Sequence, residues 1–218
     1  MNAMILKIYN ALFKEYGPQG WWPVNGRYFP EHENKFEIIV GSILTQNTSW
    51  TNVEKALRNL RKENLIDPEK ILKVETNKLA ELIKPSGYYN QKAKRLKEVT
   101  KNILPHLKNN TVPTRKELLK IKGIGPETAD SILLYAFHVP IFVIDAYTRR
   151  LLIRIGICKA PCDYNEAQKI FMKSLPRNEK IFNEYHALIV KHGKDICKKT
   201  PICNQCILKK EGLCRYEV

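Results

Sequence analysis

The sequence predicts an all-α protein, and three observations carry that prediction. Apolar residues recur at spacings of three and four along nearly the whole chain, the period of helices with one buried face. Asp, Thr and first-turn prolines stand where those runs begin, as helix N-caps and first positions do. No turn such as Asn-Gly joins two alternating apolar runs, so no β-hairpin is predicted. The 218 residues, 44% of them hydrophobic, supply core enough for one bilobal domain or two small ones.

The chain opens with MNAMILKIYNALFKEYG, which reads as an amphipathic helix. It lacks the basic start and small-residue cleavage site of a signal peptide. Helices are predicted next over 35–46, 51–63, 77–84, 90–107, 115–121 and 126–137, then over 146–155, 164–174 and 179–194. Asp67-Pro68, Thr114 and Asp163 mark starts among them. Loops are short, and neither repeats nor low-complexity linkers interrupt them.

Lys and Arg total 37 against 22 Asp and Glu, a formal net charge of +15. Such a surface attracts a phosphate backbone, although lysine-rich surfaces also serve solubility and heat resistance. No apolar run reaches the ~18 residues of a membrane span, which excludes a transmembrane helix. A cytoplasmic, nucleoid-associated protein is expected, and its six cysteines then point to a metal or cluster rather than disulfides.

The stretch LLKIKGIGPETADSILLYA, 118–136, holds the sharpest local signal. Gly123 and Gly125 permit dihedrals closed to other residues and let a ligand approach the backbone. Pro126 suits a first helical position. Helix, glycine turn and helix leave free N–H groups near Thr128, an anion site to which Lys120 and Lys122 add charge; an ordinary helix–helix turn is the plainer reading.

This stretch resembles the helix-hairpin-helix motif of the DNA glycosylase superfamily that includes endonuclease III. Three further segments resemble the family in order: ILTQNTSWTNVEKAL, SGYYNQKAKRL and FVIDAYTRRLLIRIG. The resemblance runs from about residue 35 to 214, most of the chain. It implies a two-lobed protein: 29–139 as a six-helix barrel with the hairpin, and 1–28 with 140–218 as a helical [4Fe–4S] lobe. It implies that Asp145 is the catalytic carboxylate, although Asp at a helix start is also an ordinary N-cap. A carboxylate there would stabilise the oxocarbenium-like sugar or activate water against it. Gln46 would fill the space vacated by a flipped nucleotide, and Tyr88 would wedge the opposite strand. In bifunctional relatives a lysine stands where this chain has Glu127. A carboxylate cannot form an imine, so base removal without strand cleavage is expected.

Trp21, Trp22 and Pro23 resemble the WWP of the 3-methyladenine glycosylases in the endonuclease III branch. Paired tryptophans can be plain core, yet their faces also suit a flipped, cationic alkylated purine. That base leaves readily and needs little general acid; Gly41 stands where the adenine-mismatch branch has its glutamate, and Glu37 one turn earlier is an imperfect substitute. Uracil or thymine mismatch repair is the enzymatic alternative, and a non-catalytic damage-binding module the alternative from another class.

Cys197, Cys203, Cys206 and Cys214 form a C-x5-C-x2-C-x7-C set near the end of the sequence. Four thiolates suit tetrahedral zinc or a [4Fe–4S] cluster. The resemblance implies the cluster, although the family's first gap is longer and its last one shorter. Lys198 and Lys199, between the first two ligands, would meet phosphates. Cys158 and Cys162 are left over and read as incidental thiols. The partner implied is double-stranded DNA with a damaged base, bound by a monomer.

Overall fold

The computed structural model describes residues 2–22 and 35–217. In chain order its α-helices are α1 (Asn2–Tyr16), α2 (Lys35–Leu44), α3 (Trp50–Lys62), α4 (Pro68–Lys73), α5 (Thr76–Leu82), α6 (Tyr89–Lys108), α7 (Arg115–Lys120), α8 (Pro126–Ser131), α9 (Ala146–Arg154), α10 (Tyr164–Ser174), α11 (Glu179–Asp195) and α12 (Ile207–Lys210). Among the described residues there is no strand, so the protein is all-α. No helix there is long and apolar enough to cross a membrane. The chain divides into two compact units, one of Met1–Tyr28 with Val139–Val218 and one of Phe29–His138.

In the continuous unit, α2 is the core. Ile39, Val40, Ile43 and Leu44 are sealed from solvent, and α3, α6 and α8 pack around it. A helix apolar on nearly every side belongs in the middle of a bundle. The long α6 braces α4 and α5 on its other flank. Local chemistry sets the starts: Asp67 accepts from the amides of Glu69 and Lys70, and Thr114 forms a reciprocal capping box with Glu117. The predicted helix over 126–137 changes pitch at its middle, where Ile132–Ala136 wind as a π-helix with all five residues buried. Periodicity does not distinguish that turn from α-helix.

In the other unit, α1 packs against α10, α11 and α12, and α9 packs on α11. Phe142 and Phe171 stack at 3.9 Å between ring centroids, with Phe182 and Tyr185 edge-on to Phe142. This cluster anchors the buried run Phe142–Val143–Ile144 that delivers the chain to α9. Asp163 and Asn178 cap α10 and α11. The two leftover cysteines are not incidental thiols: Cys158 and Cys162 form a disulfide in the α9–α10 connection, their Cα atoms 5.8 Å apart. The α9–α10 loop brings the two cysteines within disulfide reach, a proximity that their C-x3-C spacing leaves open.

Candidate active site

Asp145 is the N-cap of α9. One carboxylate oxygen accepts the Thr148 amide at 2.7 Å, so cap geometry fixes the group. The other lies 3.6 Å from His186 Nε2, and the Asp145 side chain keeps 13% of its exposure. Burial pushes the carboxyl up, but His186 and the Thr148 amide outweigh it and hold it below the ordinary 3.8. An ionised, nearly dry carboxylate is suited to stabilising positive charge on a sugar. His186, 5% exposed on α11, has no signature in the sequence, because its partner is 41 residues away in the chain.

Trp21 meets the same histidine. Its ring stands edge-on to His186 at 5.7 Å, and its carbonyl accepts from Asn183 Nδ2 at 2.8 Å. Trp22 lies at 68° to Trp21, 6.3 Å between centroids, and both are half-buried. The tryptophan pair thus reaches the Asp145 neighbourhood through one ring. Pro23 lies outside the described residues.

The hairpin is α7, a turn, and α8. Ile121 and Ile124 face inward, whereas Lys120 and Lys122 are exposed beside them. Gly123 takes φ +88°, the left-handed region that favours glycine. Gly125 does not: its φ of −91° is open to other residues, so the conformational argument for it fails. An added Cβ there would meet open space, so nothing among the described residues requires a glycine at 125. Thr128 is buried at 7% and accepts from Gln46 Nε2 at 2.9 Å, so its side chain faces inward rather than outward.

Gln46 is not helical. α2 ends at Leu44, and the Thr45–Thr48 turn carries Asn47 at φ +54°. Besides Thr128, the Gln46 amide donates to the Gly123 carbonyl at 3.2 Å and accepts from Arg95 Nη1. Tyr88 caps α6 at φ +48° and is 67% exposed, an unusual setting for so large a ring. Glu127 is exposed on the first turn of α8. Glu37 offers no spare acid: it is 3% exposed and locked in a two-point ion pair with Arg61.

The four remaining cysteines line one small cavity, and none is in a disulfide. Arg154 donates to Cys197 Sγ at 3.1 Å, and Arg150 donates to the Cys197 carbonyl at 2.8 Å, so α9 grips the tail directly. Burial pushes the Cys206 and Cys214 thiols up. Among the described residues no three His, Cys, Asp or Glu side chains stand close enough to hold a single metal ion. Four thiols lining one cavity are the donor set that a [4Fe–4S] cluster takes. Lys198 and Lys199 are exposed on the loop between the first two cysteines.

A family model described as HhH-GPD superfamily base excision DNA repair protein matches residues 40–177. The chain belongs to the HhH-GPD superfamily. It is 49% identical over 216 residues to MJ1434 of Methanocaldococcus jannaschii, provisionally named a DNA repair glycosylase, with 95% of this chain and 94% of that one covered. Endonuclease III of Thermotoga maritima is 31% identical, over 83% of this chain and 85% of its own. Among solved structures, the H. pylori 3-methyladenine DNA glycosylase MagIII bound to 1,N6-ethenoadenine is 33% identical with a TM-score of 0.75, covering 87% of this chain and 97% of that one. A non-covalent endonuclease III–DNA complex is 25% identical with a TM-score of 0.79, covering 99% and 95%. The superfamily reading and the all-α fold therefore stand. Sequence reasoning missed His186, Arg95 and the Glu37–Arg61 pair, each defined by a partner on another helix.

Proposed function

We propose that this HhH-GPD DNA glycosylase removes alkylated purines such as 3-methyladenine from duplex DNA and leaves the abasic strand uncut. The observation that carries the reading is the contact chain Trp21–His186–Asp145, which joins an aromatic pair to an ionised carboxylate within one unit. Aromatic faces favour a cationic base, and the 3-methyladenine glycosylase of H. pylori is a close structural neighbour.

An N3-alkylated purine departs as a neutral base, taking the electrons of the C1′–N bond. Positive charge then grows on the sugar, where the Asp145 carboxylate stabilises it. Water adds to C1′ and gives up its proton to the carboxylate or to solvent, so no covalent enzyme adduct is needed. His186 is a positioning residue for that carboxylate. Glu127 supports the absence of a lyase step, since it has no amine to attack C1′.

On the DNA side, Gly123, Gly125, Lys120 and Lys122 would take phosphates, and Thr128 would act through Gln46. Gln46 and Tyr88 would occupy the duplex behind the flipped nucleotide. Cys197, Cys203, Cys206 and Cys214 would hold a [4Fe–4S] cluster, which supplies a structural tie and no electron to hydrolysis. Lys198 and Lys199 would then present charge to the backbone. The enzyme would act as a monomer.

The rival reading is excision of uracil or thymine opposite guanine, which the endonuclease III relatives keep open. Release of free base from defined duplexes containing 3-methyladenine or uracil opposite guanine separates the two. Faster release of the alkylpurine is expected; faster release of uracil would overturn the substrate assignment.

A further inference from the structure

We propose that Arg95 and Lys92 are positioning residues that hold Gln46, Tyr88 and the glycine turn in one preset arrangement for entering a duplex. This rests on the reading of Gln46 and Tyr88 as the residues that enter. Lys92 and Arg95 are three apart on the first turns of α6, which puts them on one face, and Tyr88 is the left-handed residue that caps the helix.

Lys92 is 1% exposed, and a buried ammonium is costly unless its protons are matched. It donates to Leu44 O at 2.8 Å and to Ser86 O at 2.7 Å. Those carbonyls stand two residues before Gln46 and two before Tyr88. The first is at the C-terminal end of α2, where a helix favours a cation. The Lys92 amide also donates to the Tyr88 carbonyl at 2.9 Å. One lysine therefore fastens both approach loops to α6.

Arg95 fastens the third segment. Its guanidinium covers Gly123 so closely that a Cβ there would collide with Nε and Cζ. The same guanidinium donates to Gln46 Oε1, while Gln46 Nε2 donates to Gly123 O and Thr128 Oγ1. Both ends of the Gln46 amide are thus occupied before DNA arrives. Rotamer freedom already lost in the free protein need not be lost on binding, which is the value of preorganisation. Lysine could supply the charge at 95 but not the planar fork that spans glycine and glutamine.

The test uses the full-length protein and Arg95→Met, with Arg95→Lys as the charge-preserving control. In wild type, the Gln46 side-chain amide resonances should be displaced from the exposed-glutamine position. In Arg95→Met they should return to it, with the helical circular dichroism retained. On a duplex carrying 2-aminopurine beside the target base, the flipping signal should shrink. Single-turnover excision at saturating enzyme should slow about 10–100-fold, the scale of an ångström-sized misplacement. Arg95→Lys should not restore the rate, and adding Gln46→Ala to Arg95→Met should slow it little further. Unmoved resonances, rescue by lysine, or fully additive losses would each overturn the proposal. Should Arg95→Met not fold, Lys92→Met paired with Tyr88→Ala applies the same additivity criterion to the second loop. If wild type released no alkylpurine, the substrate reading would fail, while the resonance comparison would still decide this one.

Discussion

The Asp145 pocket and the hairpin platform hold their key groups by different physics. Asp145 lies in a nearly dry setting where burial pushes its carboxyl up and the His186 and Thr148 contacts pull it down, and the contacts win. Gln46 lies at the surface of its own unit, held by geometry: three donors and acceptors from two other segments, and a glycine whose missing Cβ admits Arg95. The difference separates tasks. A group that stabilises charge in a transition state needs low exposure and a fixed ionisation state. A group that must slot into a duplex in water needs its rotamer chosen in advance. Damage to the first region should therefore appear in the rate of bond cleavage, and damage to the second in flipping and binding.

The largest expected effect is at Asp145. Asp145→Asn keeps a cap acceptor for Thr148 but removes the negative charge, and should slow single-turnover excision by about 10^3-fold. Affinity for undamaged duplex should persist, as measured by fluorescence anisotropy. A parallel loss of binding would erase the proposed division of labour.

Trp21→Ala comes next. Losing one stacking face, worth about 1–3 kcal/mol, should cost about 10–100-fold in alkylpurine excision. Release of uncharged bases should fall less, because only a cationic base gains from the ring's electron-rich face. Equal losses for both would reduce Trp21 to core packing against His186.

On the platform, Gly123→Ala should destabilise the fold by about 1–2 kcal/mol, the cost of a left-handed backbone for a residue with a Cβ. It also forces Arg95 off Gln46. Chemical denaturation measures the first effect and the 2-aminopurine signal the second. A stable variant with normal flipping would mean that the turn rearranges freely.

How legible this was in the sequence follows from the reach of the interactions. The caps at Asp67, Thr114 and Asp163 are set within three residues and could be read directly. Asp145 could be read as a cap for the same reason, and its catalytic reading came from resemblance. His186 could not, since only the packing of α9 on α11 brings it near Asp145. Arg95 looked like one more basic residue on a long helix until Gly123 gave its guanidinium a place. Gly125 shows the converse error: a glycine in a suggestive motif with an ordinary backbone. The Cys158–Cys162 disulfide depended on a loop closure that spacing alone does not specify.

The smallest effect concerns pH. Because Asp145 is held below 3.8, excision should stay on its plateau as pH falls to the ordinary aspartate range. The stabilisation from its ionisation is likewise present above that value and is lost as pH falls through the depressed folded one. In His186→Gln, burial is opposed by the Thr148 amide with no charge partner, so the acid limb of the rate profile should move upward. An unshifted limb would mean that His186 does not set the charge at Asp145.

The most direct test of the central claim is the fate of the DNA strand. A duplex carrying one 3-methyladenine is incubated with wild type and with Asp145→Asn, without alkali or heat and with borohydride present. The account predicts free base and an intact abasic strand from wild type, base release about 10^3-fold slower from the variant, and no protein–DNA adduct. A trapped imine with a cleaved strand, or equal base release by the variant, would contradict it.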